Sequence, residues 1–145
     1  MNIINIRKLI VSWAAAFVAT IALHYFFKKM FMPEFYEEHF LRGVTISHPN
    51  FILIAYAALI FLMSFAYPYY YRGGFPVLEG MKFGLVIGLL WRGLFLLVEY
   101  GNGVIDSDMV IVDGGWHMLE EGVTGIIIGA VYGREMAFRN TGGDH

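Results

Sequence analysis

The stretch LIVSWAAAFVATIALHYFF, residues 9–27, contains no aspartate, glutamate, lysine or arginine. The basic pairs Arg7-Lys8 and Lys28-Lys29 bracket it. A helix needs about 20 apolar residues to cross the roughly 30 Å hydrocarbon core of a bilayer. Because the stretch ends in His24-Tyr25-Phe26-Phe27 instead of a small-residue cleavage site, we predict a retained membrane-spanning helix rather than a signal peptide.

The composition of the whole chain agrees with a membrane location. The 145 residues are 58% hydrophobic and 15% charged, with a mean hydropathy of +0.60 and a formal net charge of -2. The apolar excess excludes an ordinary soluble domain and a disordered tail, and the small net charge excludes a nucleic-acid partner. The absence of cysteine excludes disulfides, thiol catalysis and thiolate metal sites. The lipid bilayer is the first partner that the composition predicts.

Three further apolar stretches, separated by turn-forming or polar residues, predict three more spans. We therefore predict an all-α integral membrane four-helix bundle that forms a single transmembrane domain, residues 1–145. The predicted spans are approximately 9–27, 51–67, 80–100 and 112–133, with an outer interfacial segment at 30–50. The fourth span starts between Met109 and Trp116, because Asp113-Gly114-Gly115 can delay or break its first turn.

The interfacial segment has two interpretations. Pro33-Glu34 can start a short helix that lies on the outer membrane surface. The residues facing lipid would then be Phe35, Tyr36, Phe40 and Leu41, and those facing water would be Glu37, Glu38 and Arg42. The alternative is a solvated connecting loop.

Lysine and arginine in the short connections predict the orientation of the chain. One side carries Arg7, Lys8, Arg72, Lys82, Arg134 and Arg139, and the other carries Lys28, Lys29 and Arg42. The side richer in these residues is normally cytoplasmic, so both the N-terminus and the C-terminus are predicted to be cytoplasmic.

Spans three and four each carry a stripe at a spacing of four residues. The stripes are Gly80, Gly84, Gly88 and Arg92 in span three and Glu121, Gly125, Gly129 and Gly133 in span four. Small residues at this spacing let two helices approach closely in lipid. We predict a glycine-packed antiparallel hairpin, and the register that aligns the two stripes pairs Gly80 with Gly133, Gly84 with Gly129, Gly88 with Gly125, and Arg92 with Glu121. This register centres the turn between Asp106 and Ser107.

Arg92 lies near the middle of its span, where an unpaired arginine destabilises insertion by at least about 2.5 to 3.5 kcal/mol. A carboxylate can neutralise the guanidinium through two parallel hydrogen bonds. Glu121 is the first candidate for this partner and Glu120 is the second. The pair can belong to a functional site, or it can only fix the register of the hairpin.

Other ionisable residues extend from this pair toward the outer side. The predicted ligand or proton site consists of Arg92, Glu99, His117, Glu120 and Glu121. A weaker set of metal ligands is His24, Glu99, His117 and Glu120, which requires span one to pack beside the hairpin. The simpler interpretations are interfacial histidines for His24 and His117 and a solvated carboxylate for Glu99. No catalytic residue or cofactor is assigned, because the sequence contains no phosphate-binding loop, zinc-protease helix or nucleophile elbow.

The layout is similar to that of small four-span bacterial membrane proteins that have no assigned activity. The shared features are a lysine-flanked first helix, a glycine-rich third helix with the central pair Trp91-Arg92, and a fourth helix of the type WHMLEEGVTGIIIG, residues 116–129. The resemblance implies an integral protein of the bacterial inner membrane. It carries no functional residue across to this chain.

Three functions remain open at this point. The first is the binding or translocation of a proton, a cation or a small polar ligand at the cluster of arginine, glutamate and histidine, and transport would require a dimer. The second is a structural or accessory role in a membrane complex. The third is a membrane-embedded enzyme for a lipid-soluble substrate, with His117 and a glutamate as acid and base and Arg92 as an electrostatic stabiliser. The expected protein partners are a second copy of the chain or a subunit of a membrane complex.

Overall fold

The computed structural model describes residues 4–39 and 49–141, and nearly all of them are helical. The elements are α1 (Ile6–Phe26), α2 (Pro33–His39), α3 (Pro49–Tyr70), α4 (Pro76–Gly88), α5 (Leu94–Gly101) and α6 (Ser107–Thr141). Two π-helical segments, Phe27–Phe31 and Leu89–Gly93, extend α1 and join α4 to α5. The prediction of an all-α protein is confirmed for the residues that the structure describes.

Three of the helices are long and apolar enough to cross a membrane: Ile6–Met30, Asn50–Tyr70 and Pro76–Gly101. They contain the first three predicted spans. Large apolar side chains such as Val18 and Ile54 remain exposed on them, as is typical of surfaces that face lipid. These are features of an integral membrane protein. The helix that contains the fourth predicted span, α6, is not among the three.

The other long helices pack around α6. The contact between α4 and α6 is the most extensive, and α1, α3 and α5 also contact α6. Its buried side chains recur at helical spacing and include Asp113, His117, Glu120, Glu121 and Thr124. These polar residues of α6 are therefore turned toward neighbouring helices, while apolar residues of α6 such as Ile111 and Leu119 are exposed.

The α6 helix begins earlier in the chain than predicted. The side chain of Asp106 accepts a 3.0 Å hydrogen bond from the backbone N–H of Met109 and so caps the helix that begins at Ser107. Asp113-Gly114-Gly115 lies inside the helix and does not interrupt it. The predicted start near residue 112 is wrong, because the cap and the tertiary contacts of Asp113 outweigh the low helix propensity of the two glycines.

The turn that precedes α6 is also displaced from its predicted position. The α5 helix ends at Gly101, and Gly103 adopts a φ of 65°, a left-handed conformation that favours glycine. The turn is thus centred near Asn102 and Gly103, ahead of the predicted centre between Asp106 and Ser107. A turn that comes earlier changes which residues of two antiparallel helices face each other.

The α4 and α6 helices approach each other closely along their four-residue stripes. A β-carbon added to Gly80 would overlap the carbonyl oxygen of Gly125, and one added to Gly84 would overlap the carbonyl oxygen of Glu121. A β-carbon on Gly88 would lie 2.7 Å from a carbonyl oxygen of α6. At these positions a side chain would push the two backbones apart.

The observed register differs from the predicted one. Gly84 faces Glu121 instead of Gly129, and this difference of eight residues is about two helical turns. The same shift brings Arg92 opposite Asp113 rather than Glu121. The predicted register is therefore wrong, and its error follows from the turn, which was placed too late in the sequence.

The two π-helical segments lie beside the polar part of the bundle. An additional residue in a helical turn changes the direction of the side chains that follow, and such turns are frequent next to functional sites. The first segment carries Lys28, and the second carries Arg92. The ring of Phe27 stacks on Trp116 of α6 with the ring centroids 3.9 Å apart, which fixes the end of α1 against α6.

Candidate functional site

Polar residues collect along α6, where α1, α2, α3, α5 and the second π-helical segment contact it. They form two adjoining groups. The ion-pair group consists of Tyr36, Arg92, Glu99 and Asp113, and the histidine group consists of His24, Tyr56, His117 and Glu120. The carboxylates of Asp113 and Glu120 have side-chain exposures of 0%, whereas Arg92 and Glu99 remain about one-fifth exposed, so the histidine group is buried and the ion-pair group is partly open.

Arg92 and Asp113 form the centre of the ion-pair group. The Nε atom of Arg92 donates a 2.7 Å hydrogen bond to Oδ2 of Asp113, and an Nη atom lies 3.8 Å from a carboxylate oxygen of Glu99. The predicted pairing of Arg92 with Glu121 is wrong, because the helix register places Asp113 at this level. A charge-assisted hydrogen bond of this length is among the stronger polar contacts in proteins.

Tyr36 connects α2 to the ion-pair group. Its hydroxyl donates a 2.5 Å hydrogen bond to Oδ1 of Asp113, and its ring lies beneath the ammonium of Lys28 at 4.9 Å. Burial, together with the Asp113 carboxylate, raises the pKa of Tyr36, so the hydroxyl remains a neutral donor. The predicted lipid-facing orientation of Tyr36 is wrong for this reason. Phe40, Leu41 and Arg42, which belong to the same prediction, lie outside the described residues.

The histidine group joins three helices around the hydroxyl of Tyr56. This hydroxyl lies 2.9 Å from Nδ1 of His24 on α1, 3.4 Å from Nδ1 of His117 on α6, and 3.0 Å from Oε2 of Glu120. Nδ1 of His117 is 2.9 Å from the same Glu120 oxygen. Nδ1 of His24 is 3.6 Å from the other oxygen, Oε1, which has no hydrogen-bond partner within the described part of the chain. Four potential ligand groups thus converge on one small volume.

His117 connects the two groups. Its Nδ1 faces the histidine group, and its Nε2 lies 3.7 Å from Oδ2 of Asp113, within ion-pair distance and slightly long for a hydrogen bond. Asp113, His117 and Glu120 follow one another at helical spacing on α6, so a single helix face supplies the connection. A change of charge in one group therefore acts on the other.

Glu121 lies apart from both groups, at the contact between α6 and α4. Its side chain is buried, and neither carboxylate oxygen has a hydrogen-bond partner among the described residues. The Thr124 hydroxyl, one turn further on, donates to the Glu120 carbonyl oxygen at 3.0 Å and lies 2.6 Å from the Thr20 hydroxyl. An unpaired buried carboxylate is unfavourable in the charged form.

The charges of this region do not balance among the described residues. Its carboxylates are Glu99, Asp113, Glu120 and Glu121, and its basic residues other than histidine are Arg92 and Lys28. With every carboxylate ionised and both histidines neutral, two positive charges are missing. Protons on the histidines and carboxylates, or a bound cation, can supply them.

The structure brings some of the predicted site residues together and separates others. His24, His117 and Glu120 offer ligand atoms that lie within 4.8 Å of one another. Glu99, the fourth predicted metal ligand, faces Arg92 instead. The predicted ligand set is therefore divided between the histidine group, the ion-pair group and the isolated Glu121.

Three residues of the site were not identified from the sequence: Asp113, Tyr56 and Tyr36. A signal for Asp113 was present, because Asp113, His117 and Glu121 continue the four-residue stripe of α6 toward its N-terminus. Tyr56 carried no such signal, since a tyrosine in an apolar span resembles any other packed aromatic residue. Its role depends on the packing of α3 against α1.

Comparison with known proteins adds no external constraint on the site. No family model matches the chain, and neither the curated proteins nor the solved structures contain a match. The chemistry that the site can perform is therefore argued from its own geometry: two imidazoles, one carboxylate and one phenol are gathered in one buried volume. This arrangement suits the binding of a cation.

Proposed function

We propose that this chain is a four-span membrane protein that binds a small cation at the histidine group. The observation that carries the proposal is the convergence of His24, His117 and Glu120, whose ligand atoms come from two helices and lie within 4.8 Å of one another. All three side chains are buried. Ionisable residues are unfavourable at membrane depth and commonly mark ion or proton pathways.

The proposal treats α6 as the fourth span. Its 35 residues would extend about 52 Å, more than the roughly 30 Å hydrocarbon core requires. Its central charged residues Asp113, Glu120 and Glu121 are buried against the other helices, which is how polar residues are accommodated in lipid. We further propose that α4 and α6 form a glycine-packed hairpin and that both termini are cytoplasmic. The distribution of lysine and arginine supports this orientation, and the resemblance to small bacterial proteins supports an inner membrane.

A positively charged ligand is favoured by the imbalance of charge. Arg92 is already engaged by Asp113 at 2.7 Å, so it provides little further compensation for Glu120. Among the residues that the structure describes, the Oε1 atom of Glu120 has no hydrogen-bond partner, and it lies 3.6 Å from Nδ1 of His24 in the interior of the protein. A cation bound by the Glu120 carboxylate would reduce the excess negative charge.

Thermal unfolding in mild detergent, or in lipid nanodiscs, tests cation binding. Tag-free protein is treated with a chelator, dialysed and titrated separately with sodium, potassium, magnesium, calcium and zinc chlorides. We expect at least one cation to raise the unfolding temperature of the parent, because a ligand at 100 times its Kd stabilises the folded state by about 2.7 kcal/mol.

The matched variants for this experiment are Glu120→Gln and Glu79→Gln. Glu79 pairs with Lys82 at 2.7 Å near the opposite end of the bundle, so its replacement should leave the cation effect intact. Glu120→Gln should abolish it. If no cation stabilises the parent, or if Glu120→Gln responds like the parent, the proposed function is wrong.

A structural or accessory role is the second candidate, and one observation favours it. The hydrogen bond between Arg92 and Asp113 connects α6 to the segment between α4 and α5 and can fix their register without a ligand. This role predicts that cations do not affect stability and that paired apolar replacements of Arg92 and Asp113 preserve activity in a complementation assay. The same thermal titration therefore separates the two candidates.

A further inference from the structure

Four polar groups of the histidine group lie close enough together to hold one metal ion between them. The Tyr56 hydroxyl is 2.9, 3.4 and 3.0 Å from His24 Nδ1, His117 Nδ1 and Glu120 Oε2, and the last two atoms are 2.9 Å apart. Bonds of 2.0 to 2.1 Å in a tetrahedral zinc site place neighbouring ligand atoms about 3.3 Å apart. Three of these four separations are shorter than that value by about 0.3 to 0.4 Å and the fourth is close to it, so the side chains would have to move apart by this amount to complete a tetrahedral site.

The types of ligand select one class of cation. Sodium, potassium, magnesium and calcium are bound in proteins mainly by oxygen atoms, and the last two prefer six or more ligands. Two imidazole nitrogens with one carboxylate are typical of divalent first-row transition metals. A divalent ion also supplies two positive charges in one step, and both histidines then remain neutral. Two adjacent protonated imidazoles, with ring centroids 6.0 Å apart, would repel each other in this buried volume.

The surroundings of His117 favour metal binding as well. When Nδ1 of a histidine binds a metal, its other ring nitrogen carries a proton and commonly faces a carboxylate, which orients the ring and strengthens the ligand. Nε2 of His117 lies 3.7 Å from Asp113, and Asp113 is itself held by Arg92 and Tyr36. The ion-pair group would thus orient the metal ligand.

We infer that the cation of the proposed function is a divalent transition-metal ion of the zinc class, bound by His24, His117 and Glu120, with the Tyr56 oxygen at the fourth corner. The inference rests on the proposed function, since it specifies the cation bound at the same site. The Asp113 carboxylate acts as the positioning group for His117. Glu99 is not a ligand, because it faces Arg92.

Metal analysis of the purified protein tests this assignment. Tag-free protein in mild detergent is stripped with a chelator, dialysed against cobalt(II) or zinc(II) and analysed by elemental mass spectrometry. We expect one metal ion per chain. The cobalt form should show the intense visible absorption of four-coordinate cobalt, a measurement on the parent that does not depend on how any variant folds.

Conservative variants identify the ligands. His24→Gln and His117→Gln should each weaken metal binding by at least about 100-fold. Loss of a residue that only hydrogen-bonds to a metal ligand weakens binding by about 10 to 100-fold, so a larger effect identifies a ligand. His39→Gln is the matched control, because His39 lies on α2, 3.8 Å from Asp106, and does not belong to the histidine group. Asp113→Asn should weaken binding by about 10 to 100-fold and leave the four-coordinate spectrum in place.

The outcomes separate the inference from the function on which it rests. Binding of one cobalt or zinc ion that is lost in His24→Gln and His117→Gln supports both. Stabilisation by sodium, potassium, magnesium or calcium through Glu120, without retention of cobalt or zinc, overturns the transition-metal assignment and leaves the proposed function standing. Metal that remains bound in both histidine variants also overturns the assignment. A protein whose stability no cation changes overturns both.

Discussion

Arg92 donates a 2.7 Å hydrogen bond to Asp113, a residue that the sequence placed at an irregular helix start and that the structure places inside α6. The carboxylate of Asp113 has a side-chain exposure of 0%, and the Arg92 side chain retains 20%. Removing one partner of a buried pair leaves an uncompensated charge, whereas replacing both with apolar residues removes the problem. The pair therefore allows a decisive test of the helix register.

Arg92→Met should lower the free energy of unfolding by about 3 kcal/mol, because it leaves Asp113 charged and buried. The double variant Arg92→Met with Asp113→Leu should recover most of this loss. Arg92→Met with Glu121→Leu should recover less, since Glu121 does not contact the arginine. Denaturant unfolding in mixed micelles, followed by circular dichroism, measures the three values. Equal recovery in both double variants would contradict the register described here.

Because α4 and α6 approach each other closely, we predict that a side chain added between them destabilises the protein. Gly84→Ala places a β-carbon against the carbonyl oxygen of Glu121 and should destabilise the protein by about 1 to 3 kcal/mol, as overpacking does. Gly101→Ala is the matched control, because a β-carbon there meets nothing within 4 Å. Its effect should stay within about 0.5 kcal/mol. Similar losses in both variants, measured by thermal unfolding, would argue against this contact.

The continuity of α6 can be tested at Gly115. This glycine is exposed within the helix, and an added β-carbon would meet no atom within 4 Å. Gly115→Ala should therefore stabilise the protein by about 0.5 to 1 kcal/mol, since alanine has the higher helix propensity. A destabilisation by the same amount would indicate that residues 113–115 interrupt the helix in solution.

Tyr36 should make stability depend on alkaline pH. Its pKa is raised above the ordinary value of 10.0 by burial and by Asp113, so the folded protein keeps the phenol proton when the unfolded chain has lost it. This contribution is complete below about pH 10 and declines as the pH rises further, by up to about 1.4 kcal/mol per unit. Tyr36→Phe lacks this decline. The free energies of unfolding of the parent and of Tyr36→Phe, measured across this range, should approach each other as the pH rises. A constant difference between them would contradict the raised pKa of Tyr36.

The apolar helices were predictable from the sequence because each depends on local composition. Residues 9–27 and 51–67 lie inside helices that satisfy the length and hydropathy of a span. Of the two interpretations of the interfacial segment, the short helix that starts at Pro33 is the one observed, since proline is favoured at the first position of a helix. Local signals therefore sufficed for helix type and approximate extent.

The register and the site needed tertiary information. Both the predicted and the observed registers bring members of the α4 and α6 stripes face to face, and the choice depends on how the turn at Gly103 is built. Tyr56 joins the histidine group only because α3 packs against α1. The sequence places His24 and His117 among the candidate ligands, but their convergence on Glu120 is a property of the packed helices.

Replacement of the buried Glu121 should change the stability of the protein without removing its cation site. Its two carboxylate oxygens have no hydrogen-bond partner among the described residues, so the apolar replacement Glu121→Met should raise the free energy of unfolding by about 1 to 3 kcal/mol. Because the residue does not contact the histidine group, the same variant should retain one bound cation, with an affinity reduced only by the loss of a nearby negative charge. Thermal unfolding with and without the cation measures both quantities in one experiment.

A loss of stability in Glu121→Met would show that the carboxylate has a partner in the folded protein. A stabilised variant with unchanged cation binding would show that the ligands are confined to the histidine group and that the negative charge of Glu121 is not needed for binding.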